Sequence, residues 1–117
     1  MVDLVACLST GKGSWKNVTS VIEGDDCVNI FLITNEFGKK NFTKDGVELI
    51  VVDRDQTISD LSEEIRKKLS GGIDGTEVAL NFESGTGKEH MALLNAVMRL
   101  GFGFRLVSVE YGDVEVY

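Results

Sequence analysis

The chain has 117 residues, 43% hydrophobic and 26% charged, with a net charge of −7, two cysteines and no proline. That length suits one domain, 1–117, with one core. No apolar run nears the roughly 18 residues of a membrane helix, and Asp3 interrupts the start where a signal peptide would run, so a cytoplasmic protein is expected. The acidic balance excludes wrapping of long nucleic acid, which needs a basic face, but not a small anionic ligand, which needs only local cations and backbone N–H groups.

Val2–Leu8 reads as a first strand, followed by a glycine-containing loop, S-T-G-K-G-S, at 9–14. Ser14 can cap a helix with Trp15, Val18, Val21 and Ile22 on its apolar face, ending near Gly24. Cys27–Thr34 is a second strand, apolar except for Asn29, and is expected to be buried on both faces. Cys7 and Cys27 show neither a C-x-x-C pair nor zinc spacing, so buried thiols are expected and no metal or cofactor is implied. The segment 35–45 is a loop or short helix; Lys39 and Lys40 are a lysine pair that meets either solvent or phosphate.

Residues 47–52 form a third strand running into Asp53, and the acids on both sides of Arg54 disfavour an anion pocket there. Thr57, with Asp60, starts a helix whose stripe is Ile58, Leu61, Ile65 and Leu69, with Glu63–Lys67 and Glu64–Lys68 pairs off the stripe. Gly71-Gly72 terminates it. The run 77–82 is a fourth strand. The helix after it, to about Leu100, is apolar nearly all round, which means burial within the monomer or sharing with a second subunit. The run 104–109 is a fifth strand, and Tyr111-Gly112-Asp113 turns the chain into an antiparallel edge strand at 114–117. Alternating strands and helices imply an α/β fold, a doubly wound, mostly parallel sheet with helices on both faces. Ligands of such sheets bind beyond the carboxyl ends of the strands. Three loops share that rim: 9–14, Asn35 onward, and 83–90.

The third of these contains E-S-G-T-G-K-E at 83–89. It resembles the phosphate loop of AAA+ enhancer-binding ATPases, often spelled G-E-S-G-T-G-K-E. The strand–loop–helix context, the glycines and Lys88 fit that reading. Phe82 in place of the first glycine, Glu89 after the lysine, and the late position of the loop oppose it. Two readings remain beside it: another kind of phosphate-binding turn, and a tight connection that needs glycine for its backbone alone.

The stretch 78–109 resembles the CRISPR-associated Rossmann-fold (CARF) domains, which carry a T-G-G-T-K-x-M turn, a small-residue apolar helix, a glycine and a strand. Here Ser84, Gly85, Thr86, Gly87, Lys88 and Met91 precede A-L-L-N-A and G-F-G-F. The loop L-S-T-G-K-G-S-W at 8–15 looks like the family's first ligand loop, and I-F-L-I-T-N at 30–35 like its second strand. The turn is one residue longer than the usual pattern, its Gly/Thr order is exchanged, and no effector domain is attached. The resemblance implies a Rossmann-like, free-standing homodimer that binds a cyclic oligoadenylate across its two-fold axis, in the setting of antiviral defence. Ser9, Thr10, Gly11, Lys12, Asn35, Ser84, Gly85, Thr86, Gly87 and Lys88 would be the ligand-binding residues. Some free-standing relatives open the ring without metal, the 2′-hydroxyl attacking the adjacent phosphate. Ser9, Thr10 and Lys12 of the first loop, with Lys88 of the turn, would serve that chemistry by aligning groups and stabilising charge, Ser9 and Lys88 as its catalytic residues. His90, the only histidine, is then an acid or base, or else a capping or surface residue. Two rival readings are a dimeric interaction protein without small-molecule chemistry and a P-loop-like nucleotide enzyme using Lys88.

Overall fold

In the computed structural model, residues 2–9, 12–24 and 27–117 are described, with the backbone alone for Lys12. The strands are β1 (Val2–Leu8), β2 (Cys27–Thr34), β3 (Val47–Val51), β4 (Glu77–Asn81), β5 (Gly103–Glu110) and β6 (Asp113–Val116). The helices are α1 (Trp15–Gly24), α2 (Glu36–Asn41), α3 (Ile58–Leu69) and α4 (Gly87–Leu100), with a 3-10 turn at Lys12–Ser14. The sheet order is β3-β2-β1-β4-β5-β6, parallel except for β5–β6. This is the Rossmann-like, doubly wound architecture expected, with its antiparallel closing strand.

Two cores flank the sheet because the strands alternate their side chains. Leu4, Ala6 and Leu8 of β1 pack with Trp15, Val18, Val21 and Ile22 of α1 on one face. Val5 and Cys7 pack with Leu61, Ile65 and Leu69 of α3 and Ala92, Leu93, Ala96 and Val97 of α4 on the other. α2 joins the first face through Phe37 and Phe42, whose rings both lie 5.8 Å from that of Trp15. Gly38 allows this docking, because a Cβ there would lie 1.8 Å from Thr34 Oγ1.

Four expectations need correction. β2 is not buried along its length: Val28 is exposed, and Cys27, Asn29 and Ile30 are only partly covered. An open cleft of about 370 Å³ lined by Asn29, Ile30, Phe31, Val47 and Gly72 lies against that half. Cys27 is accordingly half-buried, and Cys7 alone is a fully buried thiol. Glu64 pairs with Lys68 at 3.0 Å as expected, but Glu63 turns to Arg66 and to Arg99 of α4, 3.2 Å away, rather than to Lys67. Arg99 comes from a neighbouring helix, so local spacing could not reveal it. Finally, of the two expectations for α4, complete burial within the monomer does not hold: Met91 and Met98, seven residues apart, are each 59% exposed.

Candidate functional site

The order of the strands creates the site. β1 and β4 lie side by side, Val5 opposite Leu80 and Ala6 opposite Asn81. From β1 the chain turns to the α1 face, and from β4 to the α4 face. Their carboxyl ends therefore part, which is where open α/β sheets hold ligands.

The turn after β4 is shaped by Gly85, whose φ of +96° suits glycine alone. A Cβ there would also lie 3.1 Å from Cys7 Cβ, 3.3 Å from His90 Nε2 and 3.4 Å from Ser9 Oγ. Thr86 then caps α4. Its Oγ1 accepts from Glu89 N–H at 3.3 Å, and Glu89 Oε1 accepts from Thr86 N–H at 3.0 Å, a reciprocal capping box.

Ser9 ties the first loop to this turn. Its N–H donates to Ser84 Oγ at 3.2 Å and its hydroxyl to Glu89 Oε1 at 2.9 Å. Thr86 Oγ1 also donates to Glu89 Oε1, at 3.0 Å. Glu89 is 1% exposed, and its Oε2 is buried without a hydrogen-bond partner among the described residues. Beside it, burial pushes the Cys7 thiol well above its ordinary pKa, and the negative Glu89 adds to the effect.

His90 is fixed by two contacts. Its Nε2 lies 2.7 Å from Ser84 O, and its ring stacks on Phe82 at 4.9 Å. A carbonyl only accepts, so Nε2 carries the proton and Nδ1 is the nitrogen left for other contacts. Phe82 thus fills the first-glycine position of a phosphate loop with a platform for histidine. Asn81, fully buried, bonds Val107 O at 2.8 Å, and Glu83 Oε1 accepts from Val109 N–H at 3.2 Å. These side chains hold β4 to β5 beyond their last ladder pair, Leu80 with Leu106.

Of the residues expected in the site, Ser9, Ser84, Gly85, Thr86 and His90 therefore meet in one cluster, and Gly87 and Lys88 follow in the first turn of α4. Lys88, half-buried in the first turn of α4, has no hydrogen-bond or ion-pair partner among the described residues. Asn35 stands at the end of β2, where its Oδ1 caps α2 by accepting from Gly38 N–H at 2.9 Å. It borders a separate cleft of about 450 Å³ lined by Phe37, Val52, Asp53, Arg54 and Asp55. Thr10, Gly11 and the side chain of Lys12 lie outside the described residues. Among the described residues, no cluster of three or more His, Cys, Asp or Glu side chains is placed to hold a metal ion, and no helix is long and apolar enough to cross a membrane. Sequence reasoning missed Glu89 as a member of the site. Its signal was T-x-x-E at 86–89, the capping-box spacing. No family model matches the chain, and no curated protein matches it.

Proposed function

We propose that the chain is a binding module for cyclic oligoadenylate, two copies presenting their β1 and β4 rims to one ring of phosphates. The observation that carries this reading is the knitting of the Ser9 loop to the Ser84–Glu89 turn, which holds Lys88, unpaired among the described residues, at the head of α4. A hydrogen-bonded turn followed by a cation unpaired among the described residues suits phosphate recognition. The resemblance of the same two segments to CARF ligand loops supplies the ligand class.

Binding is favoured over ring opening by what the polar groups already do. The hydroxyl of Ser9 is buried and spent on Glu89, and His90 Nε2 is spent on Ser84 O. Triphosphate hydrolysis is disfavoured by the same carboxylate, which fills the helix head that a P-loop opens to phosphate. A homodimer has a surface available to it. Met91 and Met98 of α4 are exposed, as are Phe104 and Leu106 of β5, which point to the α3–α4 side of the sheet. That surface serves an interaction protein equally well, so ligand binding must decide.

Titration calorimetry with cyclic tetra-adenylate is expected to give one ring per two chains. Lys88→Ala is expected to weaken binding about tenfold or more, as loss of a charge-assisted phosphate contact does, with an unchanged circular dichroism spectrum. A dimer that gives no heat with any ring size is an interaction protein instead. Linear products carrying a cyclic phosphate end, after long incubation, would add ring opening to the activity.

A further inference from the structure

A helix of this length normally offers its amino terminus to an anion. In α4 the anion is supplied from within. Glu89 Oε1 takes the Thr86 N–H, the Thr86 hydroxyl and the Ser9 hydroxyl, while Glu89 N–H is turned to Thr86 Oγ1. Two of the donors that a phosphate would use are therefore occupied. A phosphate arriving there would also meet a carboxylate of its own sign.

The carboxylate is nevertheless incomplete. Among the described residues, Oε1 has three donors and Oε2, buried, has none. Leaving a charged oxygen desolvated and unpaired is costly, and the missing partner must be a donor. Lys88, the residue before it in the chain, is a cation without a hydrogen-bond or ion-pair partner among the described residues. A ligand that carries a hydroxyl next to a phosphate would complete both.

We propose that the head of α4 is a hydroxyl-reading subsite: Glu89 excludes phosphate from the helix terminus and accepts a ribose hydroxyl, so that the site prefers a ribonucleotide to its 2′-deoxy counterpart. The ribose part rests on the nucleotide reading above; the exclusion of phosphate does not. Because Oε2 is shielded, the hydroxyl reaches it by a shift of the turn, and Gly85 is the turn residue with the backbone freedom to move. Glu89→Gln tests the assignment without removing the cap, since glutamine also serves in a capping box. It exchanges the unpaired acceptor for a donor.

The first arm uses inorganic phosphate and the amide ¹⁵N–¹H signals of Thr86 and Glu89. In the wild type these two signals should stay put. In Glu89→Gln the corresponding amides should shift, with phosphate bound about tenfold tighter or more once the like charge is gone. Saturable shifts in the wild type, or an unchanged response in Glu89→Gln, overturn the exclusion. Ser9→Ala, which keeps the carboxylate, should still exclude phosphate; admission of phosphate there overturns it as well. The second arm compares cyclic tetra-adenylate with its 2′-deoxy analogue. The wild type should favour the ribose ring about tenfold or more, and Glu89→Gln should lose that preference. Equal affinity in the wild type overturns the hydroxyl reading. A wild type that binds neither ring overturns the nucleotide reading and the ribose half with it, while the phosphate arm still decides the exclusion.

Discussion

The two ends of the central sheet each bury a carboxylate, and the two are finished differently. At the amino end, Asp3 of β1 is 1% exposed and both of its oxygens are used. Oδ1 accepts from Asn29 N–H at 3.2 Å and Asn29 Nδ2 at 3.1 Å, and Oδ2 accepts from Asp74 N–H at 2.8 Å. This side chain staples β1 to β2 and to the loop that leads into β4. At the carboxyl end, Glu89 is just as buried but satisfied on one oxygen only. The contrast separates a group that completes the fold from a group that the fold leaves open. Asp3→Ala should therefore cost about 2–4 kcal/mol in urea unfolding, because it takes the acceptor from three part-buried donors on two segments, Asn29 N–H, Asn29 Nδ2 and Asp74 N–H. Glu89→Gln should stay within about 1 kcal/mol of the wild type, since it removes an oxygen that had no donor. Equal losses at the two positions would erase the distinction.

Backbone strain follows the same division. The turns that enter β3, β4 and β5 from the amino side put glycine at every positive φ. At the carboxyl end the requirement is tighter at one point and relaxed at another. Gly85→Ala must force a Cβ to within 3.1 Å of Cys7 while holding φ at +96°, so a loss of about 2–3 kcal/mol is expected, together with the contact between Ser9 and the turn. Tyr111, at the β5–β6 hairpin, is the one non-glycine with positive φ among the described residues, and its ring is fully exposed. The two-residue turn, with Gly112 also at positive φ, demands that conformation, and tyrosine is a poor residue for it. Tyr111→Asn should raise stability by about 0.5–1 kcal/mol, because asparagine accepts the left-handed region more readily. Thermal unfolding of both variants measures the two signs; a destabilised Tyr111→Asn would mean that the ring has a role in the fold.

Much of this architecture is legible in the chain itself. Apolar runs of strand length separated by amphipathic stretches specify the order of elements, and the order places three loops on one rim. Local patterns also carry the caps, T-x-x-D at 57–60 and T-x-x-E at 86–89. What is not legible is whatever depends on which distant segments meet. The hydroxyl of Ser9 finds Glu89 across 80 positions, and a carboxylate that looks like an ordinary capping residue becomes the centre of the site. Glu63 finds Arg99 rather than Lys67 because α3 and α4 pack side by side. The half-exposed start of β2 is likewise hidden from hydropathy, which reports what a strand contains and not whether anything covers it. Its open cleft is formed with Val47 and Gly72, brought alongside only by the fold.

Glu63 supplies a reference for the two ends, because it belongs to neither. Its hydrogen bonds to Arg66, with the nearby charges of Arg66, Arg99 and Lys67, lower its pKa from the ordinary 4.5 to about 2. A depressed carboxyl stabilises the folded state fully above its unfolded value, and the contribution fades as pH falls from about 4.5 towards about 2. The group is open to solvent, so added salt should shrink the effect. The stability difference between the wild type and Glu63→Gln should therefore be small at neutral pH and vanish in acid. Chemical denaturation at several pH values measures it. A pH response in Glu63→Gln that persists below about 2 would mean that α3 and α4 are tied by something other than this ion pair.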